Sequence, residues 1–254
     1  MTIAIVREPS ASLAACQLSF VPREAIDLAL ARSQHAAYTA ALREAGCRVL
    51  ELPAEDALPD AVFVEDVALV LDEVAVMTRP GAPSRRAEGA AVAAALAPLR
   101  PLVRIEEPGT LDGGDVMRVG RTLYVGASAR SNAAGTAQLR VALAAHGYRV
   151  ERVPMQGCLH LKSAVTALDD DTLLIQPQWV DPAHFAGFRL IEVDPQEAHA
   201  ANILRVGSSL VYPANFPRTA QRLRAAGYSV RTLDVSELQK AEGAVTCCSL
   251  VFAG

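Results

Sequence analysis

His146-Gly147-Tyr148-Arg149-Val150 reads as the end of a helix, a glycine stop and the opening of a strand. Nearly the same phrase stands at Ala45-Gly46-Cys47-Arg48-Val49 and at Ala226-Gly227-Tyr228-Ser229-Val230. Three copies of one junction point to a repeated unit, and reading outward from each recovers it. Around Gly147 the pattern predicts a strand over 112–119, a turn at Gly120-Arg121, a strand over 122–125, a helix, and a third strand over 148–153. The same grammar predicts strands over 62–71 and 74–78, an Ala-rich helix from Arg85, and a strand over 102–105. Two further copies begin at His160, with a degenerate helix, and at Asn202. A fifth appears only when the chain ends are joined: 247–252 supplies its first strand and 2–6 its second, with a helix to Ala45 and a strand over 48–52 following.

Each copy opens on a polar residue: Glu65 and Asp66, Asp112 and Asp115, His160, Asn202, and Cys247. From Asp66 through Asp115, His160 and Asn202 to Cys247 the steps are roughly 42 to 49 residues, a repeat-architecture period. One such unit cannot bury both faces of its small sheet, so neighbours and helices must cover it. The expectation is one domain over residues 1–254, an α/β fold built as a five-fold pseudo-symmetric α/β propeller of ββαβ-type units. The two termini close the ring and remove its exposed edges. The rival is a conventional α/β domain with coincidental polar residues; the agreement of helix ends, turns and strand starts favours the ring, which gathers those polar residues near its axis.

Composition narrows what such a ring does. Half of the 254 residues are apolar and a fifth are charged, an ordinary globular balance, and the net charge of −4 includes no basic block that would suit nucleic acid. No charged-then-apolar leader and no apolar run near 18 residues is present, so neither secretion nor membrane spanning is expected. Five irregularly spaced cysteines argue against a disulfide framework and for a reducing, cytoplasmic compartment. Neither CxxC nor zinc-type Cys/His spacing occurs, so a structural metal is not expected.

A thiol, an imidazole and carboxylates at one point make a nucleophile with its helpers. Cys247 adjoins Cys248, and neighbours in a strand face opposite sides, so one of the two faces the pocket; register with His160 and Asn202 favours Cys247. A lone histidine in Leu159-His160-Leu161 is more often a satisfied core residue, but beside a cysteine it becomes the expected proton-transfer partner. In Asp112-Gly113-Gly114-Asp115 the glycines allow close backbone approach, and an acid near His160 would orient the ring. Glu65-Asp66 puts adjacent carboxylates inside an apolar run, where a cationic ligand, best a planar guanidinium, is the missing partner. Arg85 and Arg130, at matching places in two units, would together hold a carboxylate.

Phe63-Val64-Glu65-Asp66, Thr78-Arg79-Pro80-Gly81-Ala82 with Ser84-Arg85-Arg86, Leu111-Asp112-Gly113-Gly114-Asp115-Val116, Arg130-Ser131-Asn132, His160-Leu161-Lys162-Ser163 and Val245-Thr246-Cys247-Cys248-Ser249 occur in order along nearly the whole chain. Together they resemble the dimethylarginine dimethylaminohydrolases, guanidine-modifying members of the pentein superfamily. The resemblance implies the five-fold propeller and hydrolysis of Nω-methylated arginines to citrulline and methylamine or dimethylamine through a covalent thiouronium on cysteine. It gives Cys247 the nucleophile's role, His160 that of general acid and base, and Asp112 that of the acid beside it, a place some members fill with Glu. Asp60, Glu65 and Asp66, with Phe63, would bind the guanidinium or amino groups, and Arg85 and Arg130 the α-carboxylate. Leu18 would belong to a lid, and the Ala241 backbone would meet the amino-acid end.

No cofactor and no metal is implied, although zinc would inhibit by binding the thiolate. The implied partner is a small-molecule substrate, with no nucleic acid and no membrane; a homodimer is left open. One rival is a sister enzyme such as an arginine deiminase. Deiminases carry a carboxylate two residues after the histidine, where this chain has Lys162, expected to turn away from the pocket. The other rival is a silent binding protein of the same fold, which would show no substrate-protectable cysteine.

Overall fold

The computed structural model describes residues 1–254 and contains five three-stranded sheets of identical connectivity. In chain order they are Ala68–Val70, Ala75–Met77 and Leu102–Arg104; Val116–Val119, Thr122–Gly126 and Arg149–Val153; Val165–Ala167, Thr172–Ile175 and Arg189–Glu192; Leu204–Val206, Ser209–Pro213 and Val230–Leu233. The fifth joins the chain ends, with Leu250–Ala253 antiparallel to Thr2–Arg7 and Cys47–Leu52 parallel to it. Every sheet repeats that pattern, an inner strand antiparallel to the middle one and an outer strand parallel to it after a crossover. The five inner strands line one axial cavity of about 450 Å³, so the sheets are blades around a common axis.

The crossovers explain the repeated phrase. Helices Leu28–Glu44, Ala133–Ala144 and Pro217–Ala225 each end just before a glycine with left-handed backbone, φ +88° at Gly46, +72° at Gly147 and +95° at Gly227. There a side chain would be strained, so glycine ends the helix and turns the chain into the outer strand. The third blade has only a short turn, Pro182–Phe185, as its degenerate sequence predicts. Middle strands are buried on both faces, Ala4, Ile5 and Val6 being inaccessible, which is why they read as continuous apolar runs. Tyr38, wholly buried, donates from its hydroxyl to the Val245 carbonyl at 2.7 Å and lies 2.7 Å from the Ser249 hydroxyl, so the first helix braces the loop carrying the cysteines. No helix is long and apolar enough to cross a membrane.

The blades depart from expectation at their inner ends. Strands were expected to begin at the polar residues, but a helical turn comes first: Val64–Val67, Gly113–Asp115 and Leu161–Ala164, with Cys247 and Cys248 on a turn ahead of Leu250. Arg85 likewise lies on its own short turn, Pro83–Arg85, and not in the helix Gly89–Leu96. The inner strands are only three or four residues long, too short for an alternating pattern to mark where they start. Successive side chains on a helical turn diverge by about 100° and not 180°. Strand register is therefore not what separates Cys247 from Cys248, or Glu65 from Asp66.

Candidate active site

The turns converge above one end of the axial cavity and enclose a second cavity of about 10 Å³, the space of a single water. Of the residues expected at a site, Cys247, His160, Asp60, Phe63, Asp66, Arg85, Arg130 and Ala241 line it. Asp112 is fully buried behind His160. Leu18 does not line the cavity; it packs, half-buried, against the apolar cluster around Cys247, while its neighbour Gln17 faces in. Glu65 points elsewhere.

His160 caps the turn Leu161–Ala164, and its Nε2 lies 3.0 Å from Asp112 Oδ2 while Nδ1 lies 3.8 Å from Asp66 Oδ1. Burial opposes a charged ring, but Asp66, the hydrogen bond to Asp112, and Asp115 outweigh it and hold the imidazole up at about 9. The packing demands Gly114, where a Cβ would sit 2.5 Å from His160 Nδ1 and 2.7 Å from Asp66 Oδ1. Asp115 braces both members of the pair. It accepts from the Leu161 N–H at 3.0 Å and from the Ser131 hydroxyl at 2.6 Å, and that hydroxyl accepts from the Asp112 N–H at 3.1 Å.

Cys247 faces the cavity, whereas Cys248 turns into the core toward the Ala244 carbonyl. Burial pushes the Cys247 thiol up to about 12, and the negative charges of Glu65 and Asp66 add to that. Beneath it Asn202 accepts from the Thr246 N–H at 3.1 Å and donates to the Thr246 hydroxyl at 2.9 Å, fixing the turn. The polar residue of the fourth blade thus anchors the thiol's backbone and does not line the cavity.

The adjacent carboxylates part company. Asp66 faces the cavity; burial opposes its charge, yet His160 and Arg85 hold it down at about 2. Glu65 runs toward the axis, pairing with Lys162 Nζ at 2.5 Å and accepting from the Thr246 hydroxyl at 2.8 Å. The expected double carboxylate facing the ligand is therefore corrected to Asp66 alone from this turn, because helical geometry sends its neighbour away. Lys162 does turn away from the cavity, as expected, and ends on Glu65.

The arginine pair is corrected too. Arg85 binds Asp66 at 2.6 Å and Glu88 at 2.8 Å, and reaches the carbonyls of Asp60 and Phe63 at 3.3 Å, so all three of its guanidinium nitrogens are engaged within the protein. It orders the acids and leaves no half of a clamp open. Arg130 is buried, with Nη1 3.8 Å from Asp112 and lacking a hydrogen-bond partner, and Nη2 3.2 Å from the Ser19 hydroxyl. Asp60 accepts the Gln17 N–H at 3.1 Å, and burial raises its carboxyl.

Sequence reading missed Gln17, Leu159, Glu242 and Gly243 in the lining. Glu242 and Gly243 directly follow Ala241, but no periodicity flags a loop acid. Donor atoms of Asp66, Asp112 and His160 lie within 4.8 Å of one another, a nest for positive charge that the protonated imidazole occupies.

A thiol and an imidazole lining one cavity at the axis of a five-fold α/β propeller is the build of the penteins, and the acids around that cavity suit the branch that acts on guanidines. Residues 5–168 match the model of the eukaryotic N,N dimethylarginine dimethylhydrolases. The chain is 46% identical over 249 residues to the N(G),N(G)-dimethylarginine dimethylaminohydrolase of Streptomyces coelicolor, across 97% of this chain and 95% of that one. It belongs to the dimethylarginine dimethylaminohydrolase family. Among solved structures, a mutant of the Pseudomonas aeruginosa enzyme with cysteine replaced by serine, complexed with citrulline, superposes with a TM-score of 0.94 at 37% identity over 98% of both chains. A mutant of a dimethylarginine dimethylaminohydrolase with histidine replaced by glycine, an adduct with S-methyl-L-thiocitrulline, gives 0.95 at 37% identity over 99% of this chain and 100% of that one.

Proposed function

We propose that this chain hydrolyses Nω-methylated arginines, asymmetric dimethylarginine and monomethylarginine, to citrulline plus dimethylamine or methylamine, with Cys247 as nucleophile. The observation that carries the reading is one cavity lined by a buried thiol, by an imidazole that its neighbouring acids hold up at about 9, and by a carboxylate that His160 and Arg85 hold down at about 2. A guanidinium is a poor electrophile and must be kept cationic and still. Asp66, joined by Asp60, does both, and Arg130, with a buried unpartnered nitrogen, suits the α-carboxylate. Phe63 and Leu159 offer apolar wall to N-methyl groups.

The unusual thiol explains why substrate triggers the chemistry. At about 12 the thiol is protonated when the pocket lacks a cation. A guanidinium beside Asp66 offsets the negative field, and the thiol proton leaves to solvent. The thiolate attacks the guanidinium carbon, forming a C–S bond. His160, already charged, gives its proton to the methylated nitrogen; that C–N bond breaks and the amine departs, leaving a thiouronium. Neutral His160 then takes a proton from water, whose oxygen bonds to the same carbon. The C–S bond breaks as the hydroxyl proton of the adduct passes to the sulfur, so citrulline forms and the resting thiol returns.

All these groups come from one chain, between residues 60 and 247, so we read residues 1–254 as one functional unit that needs no second subunit to complete it. A reducing, cytoplasmic setting suits five free cysteines. The test is citrulline formation from a panel of guanidines. Each buried methyl is worth roughly 0.8 kcal/mol, and an unmethylated nitrogen leaves donors unpaired, so kcat/KM for Nω-methylarginines should exceed that for arginine by about tenfold or more. A ratio at or below one would overturn the reading in favour of a deiminase.

A further inference from the structure

Backbone conformation singles out Glu242. It is the one non-glycine residue of the chain with a left-handed backbone, at φ +57°. An unbranched acid gains nothing from that conformation, and such strain persists where the side chain is needed at that spot. Its carboxylate meets three successive backbone N–H groups of the loop over the cavity: Ser19 at 2.7 Å, Phe20, and Val21 at 2.9 Å. That loop is poorly held by packing, since Phe20 is about half exposed and only Leu18 reaches the apolar cluster. Its other fastenings are the Gln17 N–H on Asp60, the Arg130 guanidinium donating to the Ser19 hydroxyl, and the Arg23 guanidinium donating to the Ala14 and Cys16 carbonyls.

We propose that Glu242 is the latch of this lid and so a positioning residue for the reaction. The inference rests on the proposed function at one point: Asp60 and Arg130 are the groups a substrate engages. Ligand in the pocket competes with the lid for both of them, whereas the N–H groups that Glu242 holds belong to Ser19, Phe20 and Val21, none of which lines the cavity. The cavity of about 10 Å³ is too small for an arginine derivative, so the lid opens for entry and closes again behind it. Glu242 sets that equilibrium, and the strained backbone aims its carboxylate at the lid in the closed position.

Hydrogen exchange of the peptide spanning 17–23, with kcat and KM for an Nω-methylarginine, tests this in Glu242→Gln and Glu242→Gly. The first keeps one acceptor oxygen without the charge, and the second removes the carboxylate while relieving the backbone. Losing charge-assisted hydrogen bonds should speed lid exchange in Glu242→Gly by about 10- to 100-fold, with a smaller rise in Glu242→Gln. KM should rise more than kcat falls. Exchange elsewhere and Tm should stay near wild type, which separates a latch from a general loss of folding. Unchanged lid exchange in both variants overturns the proposal, as does faster exchange with unchanged KM. If the unmodified protein turns over no methylarginine, the functional reading fails, but lid exchange still decides the latch.

Discussion

The two ends of the propeller axis differ in a way that reverses intuition about cavities. One end opens into about 450 Å³ bordered by the inner-strand residues Arg118 and Arg205 and by Asp170 of a hairpin turn. The other closes over about 10 Å³ yet gathers the thiol, the imidazole and the acids. The large space follows from geometry, because five blades cannot meet at a point and the inner strands leave a channel. The small space is where turns, not strands, reach the axis. Between them lies a layer of Glu65, Lys162, Thr246 and Asn202, joined by direct bonds. Volume marks where blades fail to touch; chemistry marks where turns bring unlike charges together in low dielectric.

The sharpest way to break this comparison is at the two cysteines. They are adjacent, both buried and both with thiols pushed up, yet only Cys247 lines the small cavity. Cys247→Ser is expected to lower kcat by at least about 10⁴-fold, since removing a nucleophile forfeits the covalent route. Cys248→Ser should keep most activity and lose some stability, because it places a hydroxyl in an apolar cluster. Citrulline release by both variants, with thermal unfolding, is the measurement; a dead Cys248 variant beside an active Cys247 variant would move the chemistry off the cavity.

A smaller effect is expected at Asp112. His160 sits at about 9, above its usual 6.5, so the charged ring stabilises the fold fully below 6.5 and that contribution goes as pH rises through 9. Amine departure needs the same proton, so kcat should fall as pH rises through about 9. Asp112→Asn removes the 3.0 Å charge-assisted contact, lowers the ring's proton affinity and moves that limb to lower pH. The accompanying loss in kcat should be about 10²- to 10⁴-fold. A pH–rate profile whose upper limb stays fixed in the variant would detach Asp112 from the imidazole.

How much of this was readable beforehand follows the same division. The ring was legible because glycine stops and hairpin turns leave fixed residues at fixed spacing, and the chain ends joined once the fifth unit was sought. The repeat brought His160 and Cys247 together with an acid of the Asp112–Asp115 turn, and the resemblance to the family singled out Asp112. The direction of each side chain was not legible. Glu65-Asp66 reads as a pair in an apolar run, and nothing in those residues announces the helical turn that splits them. Arg85 looked like a ligand clamp because its partner Glu88 reads as an ordinary helix residue. Glu242 gave no signal at all, since a left-handed backbone at a non-glycine residue is a tertiary outcome.

The smallest expected effects lie in the dividing layer and below it. Lys162→Met removes the cation from Glu65, which is buried and whose carboxyl burial already raises. Breaking a buried pair from one side typically costs about 3–5 kcal/mol, and here part is recovered because Glu65 can take up a proton. An acid whose folded pKa lies above its unfolded value loses stability as pH rises toward and through the folded value. The deficit of Lys162→Met against the unmodified protein should therefore be larger at pH 8 than at pH 5. Lys162 also lowers the Cys247 thiol, so kcat/KM should fall, by no more than about tenfold on a single long-range charge. Arg205→Ala, one step further down the axis, breaks an exposed pair with Asp170 at 2.8 Å, worth about 0–1 kcal/mol at most, and an exposed hydrogen bond to the Gly207 carbonyl at 3.2 Å. Its kcat/KM should stay within about twofold of the unmodified protein. Unfolding midpoints at the two pH values, with kcat/KM for all three proteins, give the gradient. If Arg205→Ala costs as much activity as Lys162→Met, the large cavity takes part in the reaction and the division between the two ends does not hold.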